Sequence, residues 1–321
     1  MPLAQLVVSL IPVCVIVLGV SHSFGQTYPN KPVRLVTSPP GGGNDFVSRL
    51  IAQAISGALG QQVLVENRSG VIPGETVAKA PPDGYTLLLA SGNLWITPLL
   101  QKTSYDPLRD FSPVTWATNS PNILVVHPSL PVRSVKELIA LAKARPGELN
   151  YASSSFGASA HLAAELFKSL ASVNMVHVPY KGSGDSITGL ISGQVHLSFP
   201  PAGAVMTQVK AGKLRALAVT SSQPSVSVPD LPTLANSGVP GYGYDTGGAT
   251  TIFGPAKTSA AIINRLHQEI VKVLNRSDMK DKLFSAGMDV VGSSPEELAA
   301  TVKSDMVTWG KVIRDAGIRA D

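Results

Sequence analysis

Residues 33–59 read VRLVTSPPGGGNDFVSRLIAQAISGAL, and their order decides the fold class. Val33-Arg34-Leu35-Val36 predicts a short strand, which Pro39-Pro40-Gly41-Gly42-Gly43 breaks. Phe46, Leu50, Ile51, Ala54, Ile55, Ala58 and Leu59 then recur at helical spacing. Asn44 or Asp45 is the natural N-cap of that helix, and Gly60 its stop. A strand, a glycine-rich loop and a helix follow one another within 27 residues.

The same rhythm extends along the chain. Strands are expected at Val63–Val65, Tyr85–Ala90 (entered through the turn Pro82-Asp83-Gly84), Ile123–Val126, Asn150–Ser153, Val176–Val178, Val195–Phe199 and Ala216–Thr220. Helices are expected from the capping box Ser134-Val135-Lys136-Glu137 to about Ala144, over the stripe Leu162, Ala163, Leu166, Phe167 and Leu170, and over about Ser186–Ser192. Ile262 to Leu274 forms another. A second capping box, Ser294-Pro295-Glu296-Glu297, opens a last helix carrying Val302, Met306, Trp309 and Ile313. Gln223–Pro232 reads as a surface connection, and no internal repeat stands out. Such alternation implies α/β lobes with largely parallel sheets.

The N-terminus is different. Leu6–Val20, LVVSLIPVCVIVLGV, carries no charge, is short for a membrane span and contains Pro12. Ser23-Phe24-Gly25 before Gln26 has the small-x-small pattern of signal cleavage, so residues 1–25 read as a secretory signal peptide. Its n-region lacks Lys and Arg, which leaves an uncleaved anchor as the alternative. The single cysteine, Cys14, falls in this segment. The mature chain therefore has no disulfide scaffold, thiolate–zinc site or cysteine nucleophile. An exported, cysteine-free chain of two-domain length suits a bacterial periplasm. With 321 residues, 44 % apolar composition and a net charge of +5, the chain has material for a large core. Its 15 % charged residues form no basic block, so no nucleic-acid partner is expected.

In α/β sheets ligands sit outside the carboxyl ends of strands. Two strand-to-helix loops there suit an anion. One is Ser38-Pro39-Pro40-Gly41-Gly42-Gly43-Asn44, whose glycines admit close backbone approach to a helix start. The other is Ser153-Ser154-Ser155-Phe156-Gly157-Ala158-Ser159, before His161, which adds hydroxyls. Each read alone is also a turn capping its own helix. Together, about 110 residues apart, they favour a cleft between two lobes. Asp45 is a helix cap or, facing a pocket, a group that would select an amino-acid ammonium. His177 and His196 read as hydrogen-bonded structural histidines. His161, at a helix start in the serine loop, is the one histidine with a claim on the site. No P-loop, dinucleotide fingerprint, serine-hydrolase elbow or metal-ligand spacing occurs, so no metal, cofactor or catalytic residue is expected.

Tyr28-Pro29-Asn30-Lys31-Pro32-Val33-Arg34-Leu35-Val36 followed by Pro40-Gly41-Gly42-Gly43-Asn44-Asp45 resembles the start of a mature Bug (TctC-type) receptor. The resemblance continues through Val65-Glu66-Asn67-Arg68, Lys79 to Leu87, Ser154 to Glu165 and Val178-Pro179-Tyr180-Lys181-Gly182. Gly193-Gln194-Val195, Ala211 to Thr220 and Pro229 to Leu234 complete it over the mature chain. These receptors are periplasmic substrate-binding proteins of tripartite tricarboxylate transporters.

The resemblance implies a type II periplasmic-binding-protein fold, two α/β lobes joined by crossing hinge strands with the ligand cleft between them. Lobe one would comprise residues 26–123 and 249–321, and lobe two 124–248. The crossings would fall near Ile123–Val126 and Thr250–Gly254. Ser38, Pro39, Pro40, Gly41, Gly42, Asn44 and Asp45 would hold a carboxylate together with Ser153, Ser154, Ser155, Ser159 and His161. Ser91 and Asn93 would also line the cleft. The ligand would be a di- or tricarboxylate, an amino acid or an aromatic acid. The protein would be a monomer that delivers it to a two-component membrane permease or a sensor. Three features depart from the family pattern: a shortened Ser69–Gly74 stretch, Ala249 in place of an aromatic residue, and Thr37-Ser38 before Pro39-Pro40. The reading from another class is an exported enzyme on the same scaffold, which would require a nucleophile–base pair or a metal site.

Overall fold

The computed structural model describes residues 28–245, 247–315 and 318, so the expected signal peptide lies outside the described residues. The chain runs β1 (Val33–Thr37), α1 (Gly43–Leu59), β2 (Val63–Asn67), α2 (Ile72–Ala78), β3 (Thr86–Ala90), α3 (Asn93–Leu100) and β4 (Phe111–Asn119). It continues as β5 (Ile123–Val126), α4 (Val135–Ala144), β6 (Asn150–Ser153), α5 (Ser159–Ala171), β7 (Val176–Pro179), α6 (Ser183–Ile191), β8 (Leu197–Ser198), α7 (Ala202–Lys210) and β9 (Arg215–Val219). It closes with β10 (Ala249–Pro255), α8 (Ala260–Leu274), α9 (Ser277–Ser285), β11 (Asp289–Val290) and α10 (Pro295–Asp315). Residues 223–232 form no regular element, as expected of a connection.

The strands make two sheets, ordered β11-β4-β10-β3-β1-β2 and β7-β6-β8-β5-β9. Neither is largely parallel. The pairs β1·β2, β1·β3, β6·β7 and β6·β8 are parallel, whereas β10 runs against β3 and β4, β11 against β4, and β5 against β8 and β9. The reason lies in where each strand comes from. The chain changes sheets twice, and a strand arriving from the facing sheet enters from the carboxyl-end side of its new neighbours. β5 and β10 are those strands; β11, also antiparallel to β4, is reached through α8 and α9 without a change of sheet.

The passages themselves lie just before the strands expected to cross. The first is residues 120–122, between β4 and β5, and the return runs from β9 to β10, with Thr250–Gly254 wholly inside the first sheet. The two passages are bonded together: Ser120 N–H donates to Gly248 O at 3.1 Å and Thr220 N–H to Asn122 O at 2.9 Å. A Cβ on Gly248 would stand 1.6 Å from Ser120 O, so only glycine permits that approach.

Period-2 alternation gives the first sheet two buried faces. Leu35 packs with Val47, Ile51, Ile55, Leu266 and Ile270 from α1 and α8. Val36 faces the opposite layer, where α10 contributes Leu298, Val302 and Trp309. The buried stripe of α1 is Val47, Ile51, Ala52, Ile55 and Leu59, rotated from the expected one, with Phe46 exposed. The helix begins at Gly43 with Gly42 as N-cap, so Asn44 and Asp45 lie in its first turn and neither caps it. The capping box of α10 is reciprocal: Glu297 N–H donates to Ser294 Oγ at 3.1 Å and Ser294 N–H to Glu297 Oε2 at 2.8 Å. In α4 Ser134 caps Glu137 N–H, but Glu137 accepts from Arg133 rather than from Ser134.

Candidate functional site

A cleft of about 630 Å³ lies between the two sheets. Five strands, β1, β3, β6, β7 and β8, run toward it, and each is followed by a helix. The first residues or N-caps of α1, α3, α5, α6 and α7 therefore line it: Gly42 and Gly43, Asn93, Ala158 and Ser159, Ser183, and Pro201. None of these five helices has a side-chain hydrogen bond at its N-cap. By contrast α4, α8 and α10, whose starts do not line the cleft, are each capped by a serine. The uncapped α2 and α9 start outside the cleft as well. The first N–H groups of a helix have no partner inside it and carry the positive end of its dipole. The cleft thus gathers positive potential from five directions and free backbone donors from four, because at α7 Ala202 N–H donates to Pro121 O at 2.8 Å, Gly203 N–H to Ser120 Oγ at 3.3 Å and Ala204 N–H to Pro201 O at 3.0 Å. Among the described residues no Lys, Arg, His, Asp or Glu lines it. Its walls are Ser, Asn, Thr, Gly and small or apolar residues.

The glycine-rich loop is shaped by Asp45, whose charge stays inside the loop. Its Oδ2 accepts Gly41 N–H at 3.0 Å, and its Oδ1 accepts Asn67 Nδ2 at 2.9 Å and pairs with Arg49 at 2.9 Å. Asn67 Nδ2 also donates to Ser38 O at 2.7 Å. Burial by itself would raise the Asp45 carboxyl. The bonds from Arg49, Gly41 and Asn67 outweigh it and hold the group below the usual carboxylate range. Asn44 is tied across the cleft floor, its Oδ1 accepting from Thr250 Oγ1 at 3.4 Å.

The serine loop rests on a ring stack. His161 and His177 stack with centroids 4.2 Å apart, and Tyr151 lies 4.9 Å from His177 and 6.4 Å from His161, so the three near-parallel rings cluster rather than form a column. Gly157 N–H donates to His161 Nδ1 at 3.1 Å, which makes the ring the neutral Nε2–H tautomer. Ser153 Oγ donates to Ser155 O at 2.8 Å and lies 2.7 Å from His177 Nε2, so the His177 N–H points at Ser153. Burial, and for His161 also the neighbouring His177, pushes both imidazoles down to about 4. The stack is therefore neutral at pH 7. Ser153–His177 is the Ser–His contact beside the cleft; the other among the hydrogen bonds of the described residues, Ser129 Oγ to His127 Nδ1 at 2.7 Å, is exposed and lines neither cavity. Ser153 is fully buried, and its proton is already donated to a carbonyl.

Of the residues picked out from the sequence, Ser38, Gly41, Gly42, Asn44, Ser91, Asn93, Ser154 and Ser159 line the cleft. Ser155 lines a smaller cavity beside it. Pro39, Pro40, Asp45, Ser153 and His161 line neither. The prolines are exposed, and the other three are buried supports of the two loops. His196 is the structural histidine expected, its Nδ1 accepting Asn150 N–H at 2.9 Å. Sequence reasoning missed Ser183 and Gly184 at α6, Pro201 and Gly203 at α7, Gly247 and Gly248 on the return passage and Thr250 on β10, whereas Ala249, singled out as a departure from the family pattern, does line the cleft. The first two pairs follow strands, as the two loops that were found do. Gly182-Ser183-Gly184 and Pro200-Pro201 were the available signals.

A family model, the tripartite tricarboxylate transporter family receptor (TctC), matches residues 47–318. Three solved structures superpose over most of the chain. The Rpa4515 protein of R. palustris, determined with adipate, is 37 % identical with a TM-score of 0.84, covering 91 % of this chain and 99 % of its own. The periplasmic binding protein BugD is 29 % identical with a TM-score of 0.81, covering 92 % and 100 %. MatC of Rhodopseudomonas palustris, with bound malate, is 28 % identical with a TM-score of 0.80, covering 89 % and 100 %.

Proposed function

The chain belongs to the TctC receptor family of tripartite tricarboxylate transporters, and we propose that it captures a small organic carboxylate in the cleft between its two sheets and does no chemistry on it. The observation that carries this reading is the ring of four open helix starts, those of α1, α3, α5 and α6, around a cleft that no charged side chain among the described residues lines. An anion there is held by backbone N–H groups, hydroxyls and helix dipoles, which supply donors without a fixed cation. Adipate in Rpa4515 and malate in MatC are ligands of that chemistry in related chains.

Ser38, Gly41, Gly42, Asn44, Ser91, Asn93, Ser154 and Ser159 are the proposed contacts, with Asp45, Ser153 and His161 holding the loops in place. Residues 26–123 and 249–321 form one lobe and 124–248 the other, and they close on the ligand by bending at the paired passages. The protein works as a monomer in the periplasm, reached through a cleaved signal peptide, and hands its ligand to a membrane permease or a sensor. Among the described residues no helix is long and apolar enough to cross a membrane. The buried Ser153–His177 pair favours the receptor over the enzyme reading, because its hydroxyl is already committed inside the loop.

The test is a thermal-shift screen of the mature protein against mono-, di- and tricarboxylates and acidic amino acids. A ligand at 100 times its Kd adds about 2.7 kcal/mol, a rise in Tm of roughly 2 °C or more at this size. Ser159→Trp, which fills the cleft at the start of α5, is expected to remove the shift. A hit unchanged by Ser159→Trp, or recovery of a chemically altered ligand, overturns the reading.

A further inference from the structure

Asn122 stands where the chain leaves the first sheet for the second, on the passage 120–122. It is fully buried, and it lines neither the cleft nor the smaller cavity beside it. Neighbouring segments converge on it. Its backbone bridges Pro201 at the start of α7, and its carbonyl accepts Thr220 N–H at 2.9 Å from just past β9. Its side-chain Nδ2 donates to Phe199 O, just past β8, and to Ser159 Oγ at 3.3 Å, at the first residue of α5. Its Oδ1 lies against the return passage: a Cβ on Gly247 would stand 2.6 Å from it. The crossing passage and the cleft wall thus meet in one side chain.

The direction of the amide follows from its partners. Phe199 O can only accept, so the atom facing it is Nδ2 and not Oδ1. The same NH2 group meets Ser159 Oγ with its second hydrogen. It has no lone pair to offer, so the Ser159 hydroxyl receives this bond and cannot aim its own hydrogen back at Asn122. Ser159 Oγ makes no other hydrogen bond among the described residues, and Ser159 lines the cleft. Its hydrogen is therefore open to an acceptor in the cleft, such as a carboxylate oxygen. Ser153, earlier in the same loop, is the opposite case, because its hydroxyl gives its hydrogen to Ser155 O inside the loop.

We propose that Asn122 is a positioning residue of the receptor: from the crossing passage it holds the Ser159 hydroxyl as a hydrogen-bond donor to the ligand's carboxylate. This rests on the carboxylate reading above and adds a residue outside the cleft that sets the cleft's preference for an acceptor. It also ties a cleft donor, through a single amide, to the segment at which the two lobes are proposed to bend.

Calorimetric titration of the mature protein tests the proposal in a double-mutant cycle of Asn122→Ala and Ser159→Ala. The probe is the tightest-binding acid of a panel of acetate, succinate, malate, adipate, citrate and glutamate. Ser159→Ala is expected to weaken binding about tenfold or more, the worth of a hydrogen bond to a charged group. Asn122→Ala is expected to weaken it about threefold or more, because the hydroxyl keeps its hydrogen but loses its direction. The double variant is expected to bind within about twofold of Ser159→Ala alone. Asn122→Ala also leaves Phe199 O without its donor, so Tm falls in either background; that structural loss adds, whereas the affinity loss does not. Asn122→Asp, closer in shape, is the second variant for the cycle. It offers Ser159 an acceptor and draws the hydroxyl hydrogen away, so its affinity loss is expected to be smaller in the Ser159→Ala background. A loss from Asn122→Ala that is equal in both backgrounds makes the residue a structural support only and overturns the proposal. An unchanged affinity in Asn122→Ala, or failure of both Asn122 variants to fold, overturns it too. Wild-type binding by Ser159→Ala overturns it and leaves the carboxylate reading standing. Absence of binding by every acid of the panel overturns that reading, and the proposal with it.

Discussion

Asp45 and the two stacked histidines show how single residues act on the cleft without lining it. Asp45 ties Gly41, Asn67 and Arg49 into one cluster, and so fixes the loop that lines the cleft. His161 and His177 do the same for the serine loop, as neutral rings. Their titration sets the pH dependence. A histidine pushed down to about 4 in the folded protein takes up protons more readily when unfolded, so its stabilisation is complete above its ordinary value of about 6.5 and is lost as pH falls from there toward 4. Asp45, held low, adds a loss that sets in only as pH falls below the ordinary carboxylate range. Tm is therefore expected to be level from about pH 8 to 6.5 and to drop by several degrees by pH 4.5. His177→Gln keeps a donor for Ser153 but cannot take a proton, and is expected to shallow that slope. An unchanged slope in a melting series across pH would show that the stack does not set it.

At the level of the element, the division between capped and uncapped helices follows function. Ser134, Ser259 and Ser294 occupy the donors of helices that start away from the cleft. Gly42, Gly92, Ala158 and Gly182 leave donors of α1, α3, α5 and α6 open toward the cleft, while those of α7 are taken by Pro121, Ser120 and Pro201. Each open start forgoes a cap worth about 1 kcal/mol. Ala158→Asp would place a carboxylate where the ligand's is proposed to lie. Two like charges about 4 Å apart repel by about 4 kcal/mol at an effective dielectric constant near 20, so affinity for any carboxylate is expected to fall a hundredfold or more. Ser294→Ala is the matching control: about 1 kcal/mol less stable by denaturant unfolding, with the same Kd. Equal affinity losses in the two variants would mean that the α5 start is not a ligand contact.

On the scale of the whole molecule, the cleft depends on how closely the two halves approach. The start of α7 meets the link between α9 and β11: Gly203 N–H donates to Ser120 Oγ at 3.3 Å, and Ser120 Oγ donates to Gly287 O at 2.9 Å. A Cβ on Gly203 would stand 2.2 Å from Ala286 O, a backbone atom that cannot swing aside. Gly203→Val is therefore expected to hold the halves apart. Small-angle scattering should then give a larger radius of gyration than wild type and no compaction with ligand, and Kd should rise at least tenfold. A wild-type scattering curve would remove this contact from the account of closure.

The sequence alone determined the alternation of strands and helices, the reciprocal cap of α10, the two anion-suited loops and the family. Each is written in local signals: hydrophobic period, glycine and proline, serine spacing and contiguous motifs. Residues 33–59 already held β1, the glycine-rich loop and α1. Only the tertiary structure decided that β5 and β10 are reversed, because direction depends on the side from which a strand enters its sheet, and these two enter from the facing one. It also decided that Asp45, Ser153 and His161 face inward while Ser183, Pro201 and Gly203 reach the cleft. The local pattern around Asp45 is the same whether the side chain turns to a pocket or to Arg49. That choice was made by Asn67 and Arg49, brought to it by the pairing of β1 with β2 and by the turn of α1.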